Sequence, residues 1–597
     1  MNPINAPAAP DFKEQKPAAA ANIATARKWL LRWAPAMLAG VYLSCALFVD
    51  PRGEFPLNDD WSYSRSAFRF AQENRMQVDE FAAPSLVGQA FYGGLLARVF
   101  GAYFIVLRLS TLVMSFGTAL LLWIILRRLN VPPGIAGTAV LAWIFNPIQF
   151  CLAFTFMTEV HFLFFIVLAA LCFLLFAERE ERRYLIACGA AMGYAFLIRQ
   201  TALLFIIAAI VTILLEPGRT KLLERLKSVL LLGATFTPFA AGYWLWIQGQ
   251  GGSTPASSRK FELLRHMTAE QVVGNALGLL FYLSFMLVPL WVYLIPRLIH
   301  MWNHSNPTAR TIWLFTWCSI PCFGLWWFHF HYSRSPYLPS GAFHGQMPFL
   351  LNVLYDTGLG PLTLDPTYYG PPPTPGYPNL WLAITLVTAV GGFLLGMLAT
   401  LDSANKLERS ISPARRSLRF LALLSFAAIA AFEIVFSHTQ EGGLFDRHLL
   451  IAAFPLTLFV CLRAGKANTP VGLRSTSFCS ASSAAALGLL VCFSITATHD
   501  YLAWNRIRWE LGDKVLRQGV DPLAIAGGFE FNGWHNYDTF RARGNIGKIF
   551  YWWYDDPIYL ITMEPQEGYQ VLVCKEYYSW LHRRHLPLYL SKKTEIR

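Results

Sequence analysis

Charged side chains are scarce in this chain: Asp, Glu, Lys and Arg make up only 14% of 597 residues. A soluble protein of that length carries about a quarter charged residues and divides into several cores. The shortage excludes an ordinary soluble multidomain protein. The matching excess of apolar residues (55%, mean hydropathy +0.39) reads as membrane spans. Cysteine is equally uninformative as chemistry. Most of the ten lie inside apolar runs, among them Cys172, Cys318, Cys461 and Cys492, and no CxxC pair occurs. That excludes a disulfide framework and leaves them as small apolar residues. Internal repeats and mid-span charges, which a transporter would carry, are also missing.

What is present is a series of apolar runs separated by short basic blocks. The runs lie near 33–49, 104–126, 134–152, 160–177, 184–198, 201–215, 228–248, 273–296, 311–330, 379–400, 418–436, 448–464 and 479–496. They predict an all-α polytopic membrane protein of thirteen transmembrane helices, several of them shorter than the ~20 residues of a perpendicular span. The net charge of +13 falls in the connecting loops and does not suggest nucleic acid. With the N-terminus in the cytoplasm, the loops after even-numbered spans each hold a block of Arg and Lys. Examples are Arg127 and Arg128; Arg179, Arg182 and Arg183; Arg219, Lys221, Arg225 and Lys227; Lys406, Arg409, Arg415, Arg416 and Arg419; and Arg463, Lys466 and Arg474. The long loop 331–378 on the other side has Arg334 as its only basic residue. This asymmetry sets the orientation. It predicts a disordered cytoplasmic tail over 1–26, rich in Ala and Pro. A membrane domain follows over 27–496, with a first outer loop over 50–103, and a small extracytoplasmic α/β domain over 497–597. In the last, 501–518 has helical spacing, and LAIAGGFEF (523–531) and YQVLVCKEY (569–577) read as strands. NGWHNYD (532–538) reads as a turn with exposed aromatics, and YYGPPPTPGYP at the end of loop 331–378 is too rich in Pro for helix.

The informative charges are those beside the spans: Asp59, Asp60, Arg108, Glu159, Arg199, Glu433, Asp446 and Arg447. All fall at the outer ends in this topology. Embedded charges are costly and mark function. Each has a structural reading as well. In LNDDWSYSRS (57–66), Asn58 or Asp59 would cap an interfacial helix whose apolar face is Tyr63, Ala67, Phe70 and Ala71, with Trp61 at the lipid surface. Glu159 and Thr158 in FMTEVHF would cap the next span, and His161 would be an interfacial polar residue. Arg199 would snorkel, and Glu433 would pair with Arg199 or Arg447. Their shared face favours a site at the outer leaflet in which acids handle a proton or a cation and arginines hold a phosphate.

Four stretches, LNDDWSYS (57–64), GGLLARVFGAYFIVLRLSTLV (93–113), FMTEVHFLFFIVLAALCFLLFAERE (156–180) and FDRHLLIAAFPLTLF (445–459), resemble motifs of the GT-C superfamily of integral-membrane glycosyltransferases. YAFLIRQTALL (194–204) is similar to a further basic turn of that superfamily. The likeness is to the branch with protein O-mannosyltransferases, the lipid A aminoarabinose transferase and rhizobial lipopolysaccharide core transferases. It covers roughly 30–495. Two departures leave donor sugar and metal open: the acidic pair is Asp-Asp where the mannosyltransferases carry Asp-Glu, and His448 stands where Tyr is commoner. The resemblance implies an inverting transfer of a sugar from a polyprenyl-phosphate donor to an envelope lipid, glycan or protein at the outer face of a bacterial inner membrane. It maps the catalytic acid onto Asp59, with Asp60 equally near, and the second acid onto Glu159. The donor-phosphate arginine maps onto Arg447, with Arg199 as a second candidate. A divalent cation, held by Asp60 and Glu159, is possible chemistry for such a site. The alternatives are a flippase or transporter of lipid-linked glycans and an outer-face ligase of another class using HFHYSRSPY (329–337).

Overall fold

Inside a bilayer, backbone N–H and C=O groups have no water partners and must close on themselves, which selects helix for every apolar run. The computed structural model describes residues 16–594 except 216–220, 251–253, 255–265, 304, 332–344, 351, 365–376, 401–411, 438–443, 465–472 and 545–551. Arg219, Arg334, Lys406, Arg409 and Lys466, the residues after His331 in HFHYSRSPY, and nearly all of YYGPPPTPGYP therefore lie outside the described residues. By chain contacts 1–47 is one compact unit and 48–597 another. The first helix runs Lys16–Val49 and begins within the stretch expected to be unstructured.

Every one of the thirteen runs is helical, but not every run is one full span. Among the described residues nine helices are long and apolar enough to cross a membrane. A tenth arises if Ala269–Met286 and Val288–Asn303, bent by 85° at Leu287, are counted together. Trp291 Nε1 donates to the Ser284 carbonyl across that bend at 3.0 Å. The expected span 134–152 is broken by Asn146-Pro147. The helix Pro133–Ile144 stops there, and the Asn146 side chain accepts the N–H groups of Ile148 and Gln149 to start the short helix Pro147–Leu152. Ala202–Leu215 is also short of a full span. Burial grades the helices. In the apolar stretch of Asp446–Ala464 94% of residues are buried within the bundle, whereas in that of Leu222–Gly249 17% are, as suits a helix facing lipid.

The final span does not end where its apolar run ends. Leu473–Leu516 is one helix of 44 residues, about 66 Å at 1.5 Å per residue and so roughly twice a membrane crossing. Its last turns carry the buried residues Tyr501, Trp504, Arg508 and Trp509 into the C-terminal segment. That segment holds a four-stranded sheet in the order β3-β4-β6-β5, with β3 (Ile525–Ala526) parallel to β4 (Tyr559–Thr562). Strands β5 (Tyr569–Ser579) and β6 (Arg584–Lys593) pair antiparallel. A two-stranded hairpin, β1 (Leu354–Tyr355) and β2 (Gly358–Leu359), lies in the 331–378 loop.

Three sequence expectations fail here. LAIAGGFEF contributes only the two residues of β3, because Gly527-Gly528 ends the strand. Gly528 has φ +96°, and a Cβ there would stand 2.5 Å from both Arg508 Nη1 and the Thr363 carbonyl. NGWHNYD is not an exposed turn but the middle of the helix Phe529–Ala542. Asn532 bonds the Gly527 N–H and the Ile525 carbonyl, and Asn536 bonds the carbonyls of Pro522 and Trp553. Gly533 clears room for Trp61 and Trp553, which pack with Tyr537 and Phe540 in one buried aromatic core. Trp61 is thus fully buried against the C-terminal segment and does not face lipid.

Candidate active site

The Leu57–Asp60 turn is the local unit from which the site is built. Asn58 adopts φ +58°, in the left-handed region that Asn tolerates better than most residues. Helix Asp60–Glu73 follows, and Asp59 precedes it without any capping hydrogen bond from its side chain, contrary to the cap expected from Asn58 or Asp59. Asp60 instead locks the turn: its Oδ1 accepts the Leu57 N–H at 2.6 Å. Its Oδ2 accepts the Phe156 N–H at 2.9 Å. Burial pushes the Asp60 carboxyl up to about 8, against the opposing pull of those two amides and of nearby Arg108.

Asp59 faces the other way. Its Oδ2 lies 2.7 Å from Arg447 Nη2, and a fifth of its side chain is exposed. Arg447 sits in the 3₁₀ turn Asp446–His448 just before the central helix Leu449–Ala464. That turn is pinned to the 331–378 loop, because the buried Asp446 carboxylate accepts the N–H groups of Val353 and Leu354. Arg447 Nε stands 3.6 Å from Glu159 Oε1. The same oxygen receives Arg199 Nη1 at 2.7 Å, and Arg199 also donates to Thr158 Oγ1 at 2.8 Å. Asp59, Arg447, Glu159 and Arg199 therefore form a row of alternating charge, contributed by four segments far apart in sequence. Glu159 is 1% exposed and makes no cap; Met157 precedes its helix, with no side-chain cap bond.

The other embedded charges divide by role. Arg108 is spent on the backbone, donating to the carbonyls of Phe154, Pro51, Gly53 and Phe55. Glu433 faces Ser437 Oγ at 3.3 Å and His448 Nδ1 at 3.6 Å. His161 is buried between Tyr92 and Phe156 and is not interfacial. The partners of Asp60 and Glu159 leave little room for a cation, apart from Glu159 Oε2, which is buried without a hydrogen-bond partner. Both oxygens of Asp60 take amide protons, Glu159 Oε1 is held by Arg199, and no group of three His, Cys, Asp or Glu could hold a metal ion among the described residues. Sequence reasoning missed Glu530, whose Oε1 accepts the Asn58 N–H at 2.7 Å from 472 residues away; nothing local in FEFNGWH signals that contact.

With this arrangement in hand, residues 87–246 match the family model described as dolichyl-phosphate-mannose-protein mannosyltransferase. The match covers just over a quarter of the chain and includes Thr158, Glu159 and Arg199. Among curated proteins none matches this chain. Two solved structures are similar: ArnT from Cupriavidus metallidurans in the apo state, and the same protein bound to undecaprenyl phosphate. They are 12% and 11% identical, with a TM-score of 0.38 each, and cover 95% and 93% of this chain and 98% and 97% of theirs. Its nine long apolar helices among the described residues make the protein an integral, multi-pass membrane protein.

Proposed function

We propose that this protein is an inverting glycosyltransferase. It moves a sugar from a polyprenyl-phosphate donor to a hydroxyl of an envelope lipid, glycan or protein at the extracytoplasmic face, with the N-terminus cytoplasmic and residues 497–597 outside. The observation that carries the reading is the contact between Asp59 and Arg447, a partly exposed carboxylate beside a buried guanidinium. In the reaction the acceptor oxygen attacks the anomeric carbon, and the bond from that carbon to the phosphate oxygen breaks. Polyprenyl phosphate departs with the electron pair, and the hydroxyl proton passes to a carboxylate. Phosphate is already a good leaving group, so charge stabilisation by arginine suffices and no general acid is required.

Asp59 is the base in this reading, because Asp60 has both oxygens engaged by amides. Arg447 holds the donor phosphate, and its present partner is the base itself. When the phosphate takes the guanidinium, Asp59 loses its ion pair and its oxygen becomes free to accept a proton. Donor binding thereby arms the base. Glu159 keeps Arg447 and Arg199 aimed at the same place, and Arg199 is the second phosphate ligand. Incubating the purified protein with a panel of labelled polyprenyl-phosphate sugars and isolated envelope fractions tests this. Transfer with release of polyprenyl phosphate supports it; movement of intact lipid-linked sugar without bond cleavage favours a flippase and sinks it.

A further inference from the structure

Glu530 and Arg508 form an ion pair, Oε2 to Nη2 at 2.8 Å, and neither side chain has any exposed surface. A pair so fully removed from water is costly to build and is weak evidence for stability by itself. What the pair touches is more telling. Glu530 Oε1 accepts the N–H of Asn58 at 2.7 Å, one residue before Asp59. Arg508 Nη1 reaches Thr363 Oγ1 at 3.0 Å, and the guanidinium lies 5.0 Å from the centre of the Trp504 ring. Asn58 itself holds φ +58° and donates from Nδ2 to Asn352 Oδ1 at 3.0 Å.

The Asn58 conformation is one that an L-residue keeps only where its surroundings over-determine it. Here the surroundings are two hydrogen bonds, one from each of two distant segments. On the far side of Asp59, Ser62 N–H donates to the Asp59 carbonyl at 3.1 Å and Asp60 closes the turn onto Leu57. The backbone on both sides of Asp59 is therefore clamped, and the clamp before it comes from the C-terminal segment. We propose that Glu530, fixed by Arg508, is a positioning residue that orients Asp59 through the Asn58 backbone, so that the C-terminal segment is a working part of the active site. This rests on the reading of Asp59 as the base. Catalytic geometry tolerates little displacement, and a loosened base loses rate where donor affinity is retained.

The test compares two double variants with wild type, using the polyprenyl-phosphate sugar the wild-type protein turns over fastest. Glu530→Leu with Arg508→Met removes both charges together, so neither is stranded, and also removes the acceptor for the Asn58 N–H. Glu530→Gln with Arg508→Met removes the charges but keeps an acceptor oxygen. The proposal expects the Leu/Met variant to lose about 10- to 100-fold in kcat with donor KM within about threefold, and the Gln/Met variant to recover at least half of that loss on a logarithmic scale. Full kcat in the Leu/Met variant overturns it, as does equal loss in both. Should the Leu/Met variant fail to fold, Glu530→Met with Arg508→Met, whose unbranched side chains fill the space while still removing the acceptor for the Asn58 N–H, supplies the same readout. A fall in kcat at constant donor KM supports the proposal, and unchanged kcat overturns it. Asp59→Asn measured alongside separates the two failures. If Asp59→Asn is fully active, the base assignment is wrong. If Asp59→Asn is inactive while the Leu/Met or Met/Met variant keeps full kcat, only the positioning role is wrong.

Discussion

Asp60 accepts the backbone N–H of Phe156 at 2.9 Å, across 96 residues of chain, and that contact separates the two adjacent acids in role. Asp60 ties the turn to the segment before helix Thr158–Arg179, whereas Asp59 looks towards Arg447. Replacing Asp60 by Asn turns one acceptor oxygen into an NH₂ group facing an N–H. We expect Asp60→Asn to lower stability by about 1–3 kcal/mol, the usual cost of an unmet buried donor. Thermal unfolding in detergent measures it; an unchanged midpoint contradicts the structural role.

The same carboxyl makes stability depend on pH. Its folded value, about 8, lies above the ordinary carboxylate value, so the folded state favours the protonated form. The associated stability is complete below about pH 4 and is lost as pH rises through about 8. The wild-type unfolding midpoint should therefore fall between pH 6 and about pH 9 by more than that of Asp60→Asn. Parallel curves for the two proteins would show that Asp60 does not titrate in this window.

Arg447 and Arg199 differ in what they hold. Arg447 contacts Asp59 and Glu159, while Arg199 contacts Glu159 and Thr158. Lys keeps the charge but not the planar fork. Arg447→Lys should raise donor KM and lower kcat/KM by roughly 10- to 100-fold, a loss of about 1.4–2.7 kcal/mol in transition-state stabilisation. Arg199→Lys should lose less. Steady-state kinetics on both variants decide it; a larger loss at Arg199 would reverse the assignment.

The aromatic core shared by the first outer loop and the C-terminal segment can be probed at Gly533. A Cβ there would lie 2.8 Å from the Trp61 ring and 2.9 Å from that of Trp553. Gly533→Ala should destabilise by about 1–3 kcal/mol through overpacking, partly offset by the better helix propensity of Ala. Unfolding followed by tryptophan fluorescence reads this out.

Much of this was legible in the sequence. All thirteen apolar runs are helices, because membrane spans obey a strong local rule. Their lengths were less legible: Asn146-Pro147 and the bend at Leu287 interrupt runs that hydropathy alone joins. Asp59, Glu159, Arg199 and Arg447 were picked out as costly embedded charges, and they do meet. Arg108 was picked out by the same rule and turned out to bind carbonyls, since the rule senses cost without telling chemistry from scaffolding. The difference between Asp59 and Asp60 could not be read locally. Their partners stand 388 and 96 residues away, and adjacent residues on a turn point in different directions. In NGWHNYD, turn-forming residues became helix because the buried Asn side chains found backbone partners and Gly533 admitted two indoles.

The central claim is that Asp59 takes the acceptor proton as sugar leaves polyprenyl phosphate. The most direct measurement is single-turnover release of polyprenyl phosphate from a labelled polyprenyl-phosphate sugar by wild type, Asp59→Asn and Asp60→Asn, each checked for folding. The account predicts a fall of about 10²- to 10⁴-fold for Asp59→Asn in a protein that remains folded, with folded Asp60→Asn losing much less, through a loosened turn and not a missing base. Wild-type release by folded Asp59→Asn would contradict it.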